Sequence, residues 1–449
     1  MSNKIQKMYS KRLIDKYLQS WSLEVSRKPL LLRGARQIGK STSIRKLSEN
    51  FETFIEVNFE ETPEVGNFFK SSLDFFSITE NLSIFYNTRI TAGKTLLFFD
   101  EIQTCQEALN SLRFFYEKMP NLHVIATGSL IEFALAELAT FGVGRIKSLF
   151  MYPMSFDEFL IAIKEEKLLL AKQGASISNP LNNVLHQKLN EYLFTFILIG
   201  GMPEVVVKYA ATKSLLSAQE VLTDLYVAFE TDFANYKKRV PVKRIADAFN
   251  AVVQQAGGKF VLAKINDTYN LQAREALQLL TLAGLVIPVT HTSANGIPID
   301  AGANEKKQKM QLFDTGLFQN ILGLNIASLL PDIKNIINKG AIAEQFWGLE
   351  FLKYQLPTKP PKLYYWHREK PNANAEVDYV VQQGENIIPI EIKSSTQGSM
   401  QSLHKFMEEK NTAVGYRFSL ENFAAYEKIK VIPLYAVSSF EKQVAELLT

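Results

Sequence analysis

The sequence predicts an α/β protein of several domains, and three observations carry that reading. A short apolar run, Pro29 to Arg33, ends at Gly34 and gives way to a helix-forming stretch. Two further apolar runs, Thr95 to Asp100 and His123 to Thr127, alternate with helical segments, the pattern of a parallel sheet whose strands are covered on both faces. After Lys339, closely spaced strands return behind a long, mainly helical region.

Each element has its own warrant. Ser10 to Ser26 has the spacing of an amphipathic helix, Ser41 to Asn50 that of a second helix, and Phe54 to Phe59 alternates as a strand. Helices are expected near Gln106 to Lys118 and Leu130 to Ala139. From about Asp157 the pattern is helical. Gly174 to Asn183, rich in Ser, Asn, Gly and Pro, reads as a loop, and Gly200, Gly201 and Pro203 break the next helical stretch. Pro241 to His291 holds two or three short helices and an apolar strand, Leu285 to Val289; polar Ser293 to Lys309 follows as a loop or β-wing. That is the layout of a winged-helix unit. Strands are expected at Leu363 to Trp366, Ala375 to Gln382 and Asn386 to Lys393, then a helix and a last strand near Val431 to Ala436. The expected divisions are 1–160, 161–238 (helical), 239–335 (winged-helix-like) and 336–449.

Composition bounds the function classes. At 449 residues the chain exceeds what one hydrophobic core serves, and its 47% hydrophobic and 21% charged residues are ordinary for a globular protein. No apolar run approaches the roughly 18 residues a membrane helix needs, and Met1 to Lys16 lacks the apolar run and cleavage site of a secretory signal. Cys105 is the single cysteine, so no disulfide forms within the chain. A reducing, cytoplasmic location without membrane attachment is the expectation. The net charge of +4 permits nucleic-acid binding without arguing for it.

Gly34-Ala35-Arg36-Gln37-Ile38-Gly39-Lys40-Ser41, with Thr42 beside it, fits the P-loop pattern G-x-x-x-x-G-K-[ST] between a strand and a helix. The glycines let the backbone curl so that amides point at phosphate oxygens, and the helix adds its positive end. Lys40 would reach the β- and γ-phosphates and the Ser41 hydroxyl would ligate Mg²⁺. Leu96-Leu97-Phe98-Phe99-Asp100-Glu101 is a buried strand ending in two carboxylates. Asp100 would hold Mg²⁺ through water, and Glu101 would orient or activate the attacking water. The strand through His123 ends at Thr127-Gly128-Ser129, where Thr127 or Ser129 would sense the γ-phosphate; Ser129 as a plain helix N-cap is the competing reading. Arg145, after Gly142-Val143-Gly144, reads either as a finger reaching a neighbouring subunit's nucleotide or as a surface arginine. No N-K-x-D guanine-specificity motif is present, which favours ATP.

Together Arg33 to Ser41, Phe99 to Gln103, Thr127 to Ser129, and Gly144-Arg145 followed by Tyr152 to Phe159 resemble a family of prokaryotic AAA-type P-loop ATPases. Features of that family's C-terminal region, whose function is unassigned, are matched by Gly200-Gly201-Met202-Pro203-Glu204, Phe313-Asp314-Thr315-Gly316-Leu317 and Pro389-Ile390-Glu391-Ile392-Lys393. The resemblance covers nearly the whole chain and implies an ATPase able to act as a homo-oligomer. This P-loop ends in Ser41 where many relatives have threonine, which keeps the metal-binding hydroxyl.

After Lys339, Glu344 lies on an expected helix, Glu376-Val377-Asp378 in one strand, Glu391-Ile392-Lys393 in the next, and Gln401 on the following helix. Residues two apart on a strand share a face, so Glu391 and Lys393 project together while Ile390 and Ile392 face the core. This arrangement resembles the PD-(D/E)XK restriction-endonuclease-like core. The resemblance implies that Asp378 and Glu391 bind a divalent metal with Glu344 in support, and that Lys393 positions the attacking water. E-x-K is also common as a solvated ion pair, so a degenerate copy that binds DNA, RNA or a protein without cutting is the alternative. The whole then reads as an ATPase that processes or binds nucleic acid, or as a nucleotide-switched scaffold. Lys237-Lys238-Arg239 with Lys243-Arg244 is a phosphate-contacting patch or, more simply, a charged linker. His367 has no companion His or Cys at ligand spacing, so a zinc site there is rejected.

Overall fold

The structure, a computed structural model, describes residues 9–70, 75–137, 144–236, 240–265, 270–323, 340–369, 375–396 and 398–448. The chain divides into two compact units. One comprises Met1–Tyr152 with Leu282–Gly284 and Leu356–Pro360; the other comprises Pro153–Thr281, Leu285–Gln355 and Pro361–Thr449.

The first unit is built on five strands: β1 (Leu30–Arg33), β2 (Thr53–Asn58), β3 (Thr95–Asp100), β4 (His123–Thr127) and β5 (Lys147–Phe150). They pair in the order β2-β3-β4-β1-β5, parallel throughout. Every residue of β3 and β4 is buried, as uninterrupted apolar runs require. Burying Phe98 or Phe99 alone is worth about 1.5–3 kcal/mol. Because β4 lies between β1 and β3, the carboxyl ends of all three open on one edge of the sheet, where α/β proteins place ligands. β5 was not among the expected strands: Lys147-Ser148-Leu149-Phe150 sits at the sheet edge with one buried residue, too short and too polar to announce itself. The helix expected at Leu130 to Ala139 spans Ile131–Glu137; Gly142 and Val143 lie outside the described residues.

The second unit opens with helices Phe156–Ala162, Glu166–Gly174, Asn183–Ile199, Pro203–Thr212 and Leu215–Asp232. Two of the segments quoted for the family resemblance meet here. The Asp314 carboxylate accepts from the amides of Gly201 (2.7 Å) and Leu317 (3.0 Å). A methyl on Gly201 would lie 2.2 Å from the Met154 carbonyl oxygen, and one on Gly316 would lie 2.3 Å from that of Ile199. These glycines permit backbone to approach backbone, so Gly200–Glu204 and Phe313–Leu317 form a structural joint. Beside it, Ser155 and Glu158 form a reciprocal capping box, and buried Glu350 accepts from the Phe156 amide (3.0 Å) and Lys353 (2.8 Å).

Two sheets complete the unit. In the first, β6 (Val286–Thr292), β7 (Ala303–Leu312), β8 (Leu363–His367) and β9 (Glu376–Val377) pair in the order β7-β6-β8-β9. β6 and β7 pair antiparallel, and β7 begins inside Ser293 to Lys309, the segment expected as a loop or β-wing. β6 also pairs in parallel with β8, so strand pairing runs across the division expected at residue 335. In the second, β10 (Tyr379–Gln383), β11 (Asn386–Ile392), β12 (Gly415–Ser419), β13 (Ala424–Tyr426) and β14 (Ile429–Pro433) pair in the order β10-β11-β12-β14-β13. The strand expected as one piece from Ala375 to Gln382 breaks at Asp378. β12 is central and wholly buried yet was not expected, because Arg417 interrupts its apolar run. Helix Gly340–Tyr354 is buried from Ile342 to Leu352.

Candidate functional site

The P-loop connects β1 to helix Lys40–Ser48. Three residues take positive φ: Gly34 (136°), Gln37 (64°) and Gly39 (94°). A methyl on Gly34 would lie 2.2 Å from the Met151 carbonyl oxygen, so glycine is required there. Gly39 occupies the helix N-cap and has no side chain to offer the first-turn amides of Lys40, Ser41 and Thr42. Those amides and the helix's positive end form an anion position. The Lys40 ammonium curls over the loop and donates to the carbonyls of Gly34 (2.9 Å) and Ala35 (2.7 Å). Its burial pulls its pKa down to about 8 against the opposing pull of Glu101 and Asp100.

Opposite the loop, Ser41 Oγ donates to Asp100 Oδ2 (2.9 Å). Burial pushes the Asp100 carboxyl up to about 6, with Ser41 working against it and Glu101 adding to it. Glu101 follows β3 in the left-handed conformation (φ 49°). Its Oε2 accepts from Gln103 Nε2 (2.7 Å) and from both the amide and the hydroxyl of Ser129 (2.9 Å each). Burial alone would raise its pKa; those donors and the nearby Lys40 outweigh burial and hold it below the usual carboxylate value. Ser129 is therefore joined to Glu101, while Thr127 donates to the Leu32 carbonyl across the sheet (2.8 Å). A methyl on Gly128 would sit 1.8 Å from Gln103 Oε1, so this glycine preserves the Gln103 bridge. Sequence reasoning missed Gln103. Arg33 pairs with Glu132 and stacks on Phe150 at 4.6 Å. Arg145 is half-exposed and pairs with Glu117 of its own chain at 2.5 Å.

The C-terminal candidates fall around one buried cation that sequence reasoning also missed. Lys309, from β7, donates to Glu344 Oε1 (2.7 Å) and lies 2.7 Å from Glu376 Oε1. Burial works against its charge, yet Glu344, Asp378 and Glu376 together hold its proton more tightly than usual. Asp378 accepts from the Ile392 amide (2.7 Å). Glu391 Oε1 accepts from Lys393 (2.6 Å), while its Oε2 is buried without a hydrogen-bond partner. Glu391 and Lys393 thus share a face as expected, but Ile390 and Ile392 are not alone in the core: Glu391 is buried too. Burial pushes Glu344 up to about 8, with Lys309 opposing and Asp378 reinforcing. Glu391 also rises to about 8, by burial and then by Asp378, against Lys393. Tyr379 donates to the Glu344 carbonyl (2.8 Å) and stacks near Trp347, fixing the helix over the cluster.

Among the described residues, the one trio of His, Cys, Asp or Glu whose ligand atoms all lie within 4.8 Å of one another is His291, His367 and Glu369. Glu344, Asp378 and Glu391 are not gathered that tightly. His367 therefore has a companion histidine that sequence spacing concealed, 76 residues upstream. Burial lowers the pKa of both rings, that of His367 to about 4. Of the basic run, Lys237 to Arg239 lie outside the described residues, and Arg244 lies 3.7 Å from Asp247 on its own helix.

Comparison with known proteins agrees with the first unit's geometry. Residues 26–160 match the family model described as AAA domain. Residues 190–328 and 339–437 match two domains of unknown function, DUF8612 and DUF4143. No curated protein matches the chain in sequence. Three solved structures show distant likeness. The Walker-type ATPase PABY2304 of Pyrococcus abyssi is 16% identical with a TM-score of 0.45, over 70% of this chain and 96% of its own. The Aeropyrum pernix ORC1 protein, in complex with DNA, is 9% identical with a TM-score of 0.31, over 73% and 97%. C. elegans PCH-2 is 13% identical with a TM-score of 0.24, over 48% and 61%. No helix among the described residues is long and apolar enough to cross a membrane.

Proposed function

We propose that this chain, whose residues 26–160 match the AAA domain model, binds ATP and hydrolyses it with Mg²⁺, using Glu101 to orient and deprotonate the attacking water. The observation that carries the proposal is the Glu101 carboxylate, held ionised by Ser129 and Gln103 at the sheet edge where Ser41 and Asp100 meet. Ser41 and Asp100 suit Mg²⁺, being two oxygen donors side by side, one a carboxylate whose pKa is raised by burial. When bound, the ion would neutralise β- and γ-phosphate oxygens. The loop from Gly34 to Ser41, with Thr42, grips the phosphates through amides. Lys40 turns from its carbonyls to the γ-phosphate. Ser129 couples Glu101 to the strand that carries Thr127. Arg145 serves a neighbouring subunit's nucleotide, at the expense of its pairing with Glu117.

A second reading, favoured by the unpartnered Glu391 Oε2, is that the C-terminal unit processes or binds nucleic acid. Asp378 and Glu391, with Glu344, would hold Mg²⁺ or Mn²⁺ once Lys309 gives way, and Lys393 would position water. If Lys309 stays, the cluster is a filled ion network and the region binds without cutting.

One experiment tests both readings. Mg²⁺-dependent ATP turnover is measured with single-stranded DNA, double-stranded DNA or RNA added, for wild type, Lys40→Ala and Glu101→Gln, and each tube is run on a gel. Turnover lost in both variants supports the ATPase. Cleavage lost in Asp378→Ala and Lys393→Ala supports the nuclease reading, and its absence with every nucleic acid sinks it.

A further inference from the structure

We propose that His291, His367 and Glu369 form a binding site for a borderline first-row divalent cation, with Zn²⁺ the expected occupant. The site shares no residue with the P-loop or with the carboxylates around Lys309.

Strand geometry brings the histidines together. β6 and β8 pair in parallel with His291 opposite Tyr365, so His367, two residues on, shares that face of the sheet. The register of β6 against β7 shifts between Thr290 and His291, the kind of irregularity that re-aims a side chain. The two ring centroids stand 4.3 Å apart. His291 Nε2 lies 3.3 Å from the His367 carbonyl oxygen, to which it donates. Committing Nε2–H to that carbonyl leaves Nδ1 with the free lone pair, as in metal-ligating histidines oriented by a backbone carbonyl.

That Nδ1 is buried and without a hydrogen-bond partner, and it lies 4.0 Å from Glu369 Oε1. His367 Nδ1 is also buried without a partner. Each buried, unsatisfied ring nitrogen costs about 1–3 kcal/mol, a cost that coordination would remove. One ligand atom from each residue lies within 4.8 Å of the others. Around Zn²⁺ with bonds near 2.0–2.1 Å, tetrahedral ligand atoms sit about 3.3 Å apart, so modest side-chain rotation closes the set. Two imidazoles and one carboxylate suit Zn²⁺ better than Mg²⁺, and three protein ligands leave a fourth position open.

Charge near the site predicts a distinctive sign. Lys307 pairs with Glu369 and must release it, and Lys259 also bears on the two rings. Removing Lys307 should therefore tighten cation binding, whereas removing a ligand should weaken it.

The test is Zn²⁺ titration of the full chain against a chromogenic chelator. Excess Mg²⁺ and ATP occupy the oxygen-ligand sites, and circular dichroism confirms folding of each variant. The expected result is one Zn²⁺ per wild-type chain. Binding is at least about tenfold weaker in His367→Gln and Glu369→Gln and severalfold tighter in Lys307→Ala. Glu369 is half-exposed, so its variant keeps the test decisive even if His367→Gln fails to fold. Absence of Zn²⁺ binding by folded wild type, or wild-type affinity in a folded Glu369→Gln, overturns the proposal.

Discussion

Two of the buried lysines that lie among acidic groups, Lys40 and Lys309, behave in opposite ways. Lys40 donates to loop carbonyls, and burial lowers its pKa. Lys309 touches two carboxylates, with a third nearby, and holds its proton more tightly than usual. A lysine whose direct partners are neutral dipoles keeps its charge available for an incoming anion. A lysine enclosed by carboxylates already has its counter-charge, and its removal leaves them stranded. Burial alone therefore does not mark a functional lysine; the formal charge of its partners separates the two roles.

The largest expected effect breaks this contrast if it fails. Lys40→Ala should lower ATP turnover by at least about 100-fold while changing unfolding free energy by less than about 1 kcal/mol. Lys309→Met should do the reverse: urea denaturation of the second unit should show a loss of about 3–5 kcal/mol, with turnover by the folded fraction unchanged. Adding Glu344→Gln to Lys309→Met should recover a substantial part of that loss, because the stranded carboxylate is then gone. No recovery would mean that the pair is not what Lys309 supports.

A smaller effect sharpens the picture of the nucleotide site. Ser129→Ala removes one of the donors to Glu101 and should lower kcat by about tenfold, as a hydrogen bond to a charged group implies. KM should hardly move. A change confined to KM would instead place Ser129 in nucleotide binding.

The smallest effect concerns pH. Burial, and then the neighbouring Asp378, push the Glu391 carboxyl from its ordinary value near 4.5 up to about 8. Between those values the folded state binds more protons than the unfolded state, so stability of the second unit falls as pH rises. In chelator-treated protein, Glu391→Gln should flatten that slope. An unchanged slope would mean that Glu391 is not the group taking up the proton.

Legibility in the sequence follows how local each site is. The P-loop and the Asp100-Glu101 pair are contiguous motifs on elements whose apolar runs announce them; β3 and β4 fall where the runs begin and end. Even there, the bond from Gln103 to Glu101 was not read out of the segment Phe99 to Gln103, because it is made across the left-handed turn at Glu101. The C-terminal carboxylates were legible as types and spacings, but Lys309 was not. It arrives from β7, 35 residues before Glu344, and E-K-K-Q-K falls in the polar segment read as a loop or β-wing. His291 was hidden in the same way, since only the parallel pairing of β6 with β8 brings it to His367. β12 was missed because Arg417, buried beside Glu421 (3.4 Å), disguises a core strand as a surface one.

The most direct test of the central claim compares wild type with Glu101→Gln in two paired assays, ATP binding by equilibrium titration and single-turnover hydrolysis with Mg²⁺. The account predicts that the variant binds ATP about as tightly as wild type and hydrolyses it at least about 100-fold more slowly. Hydrolysis at the wild-type rate in Glu101→Gln would contradict it.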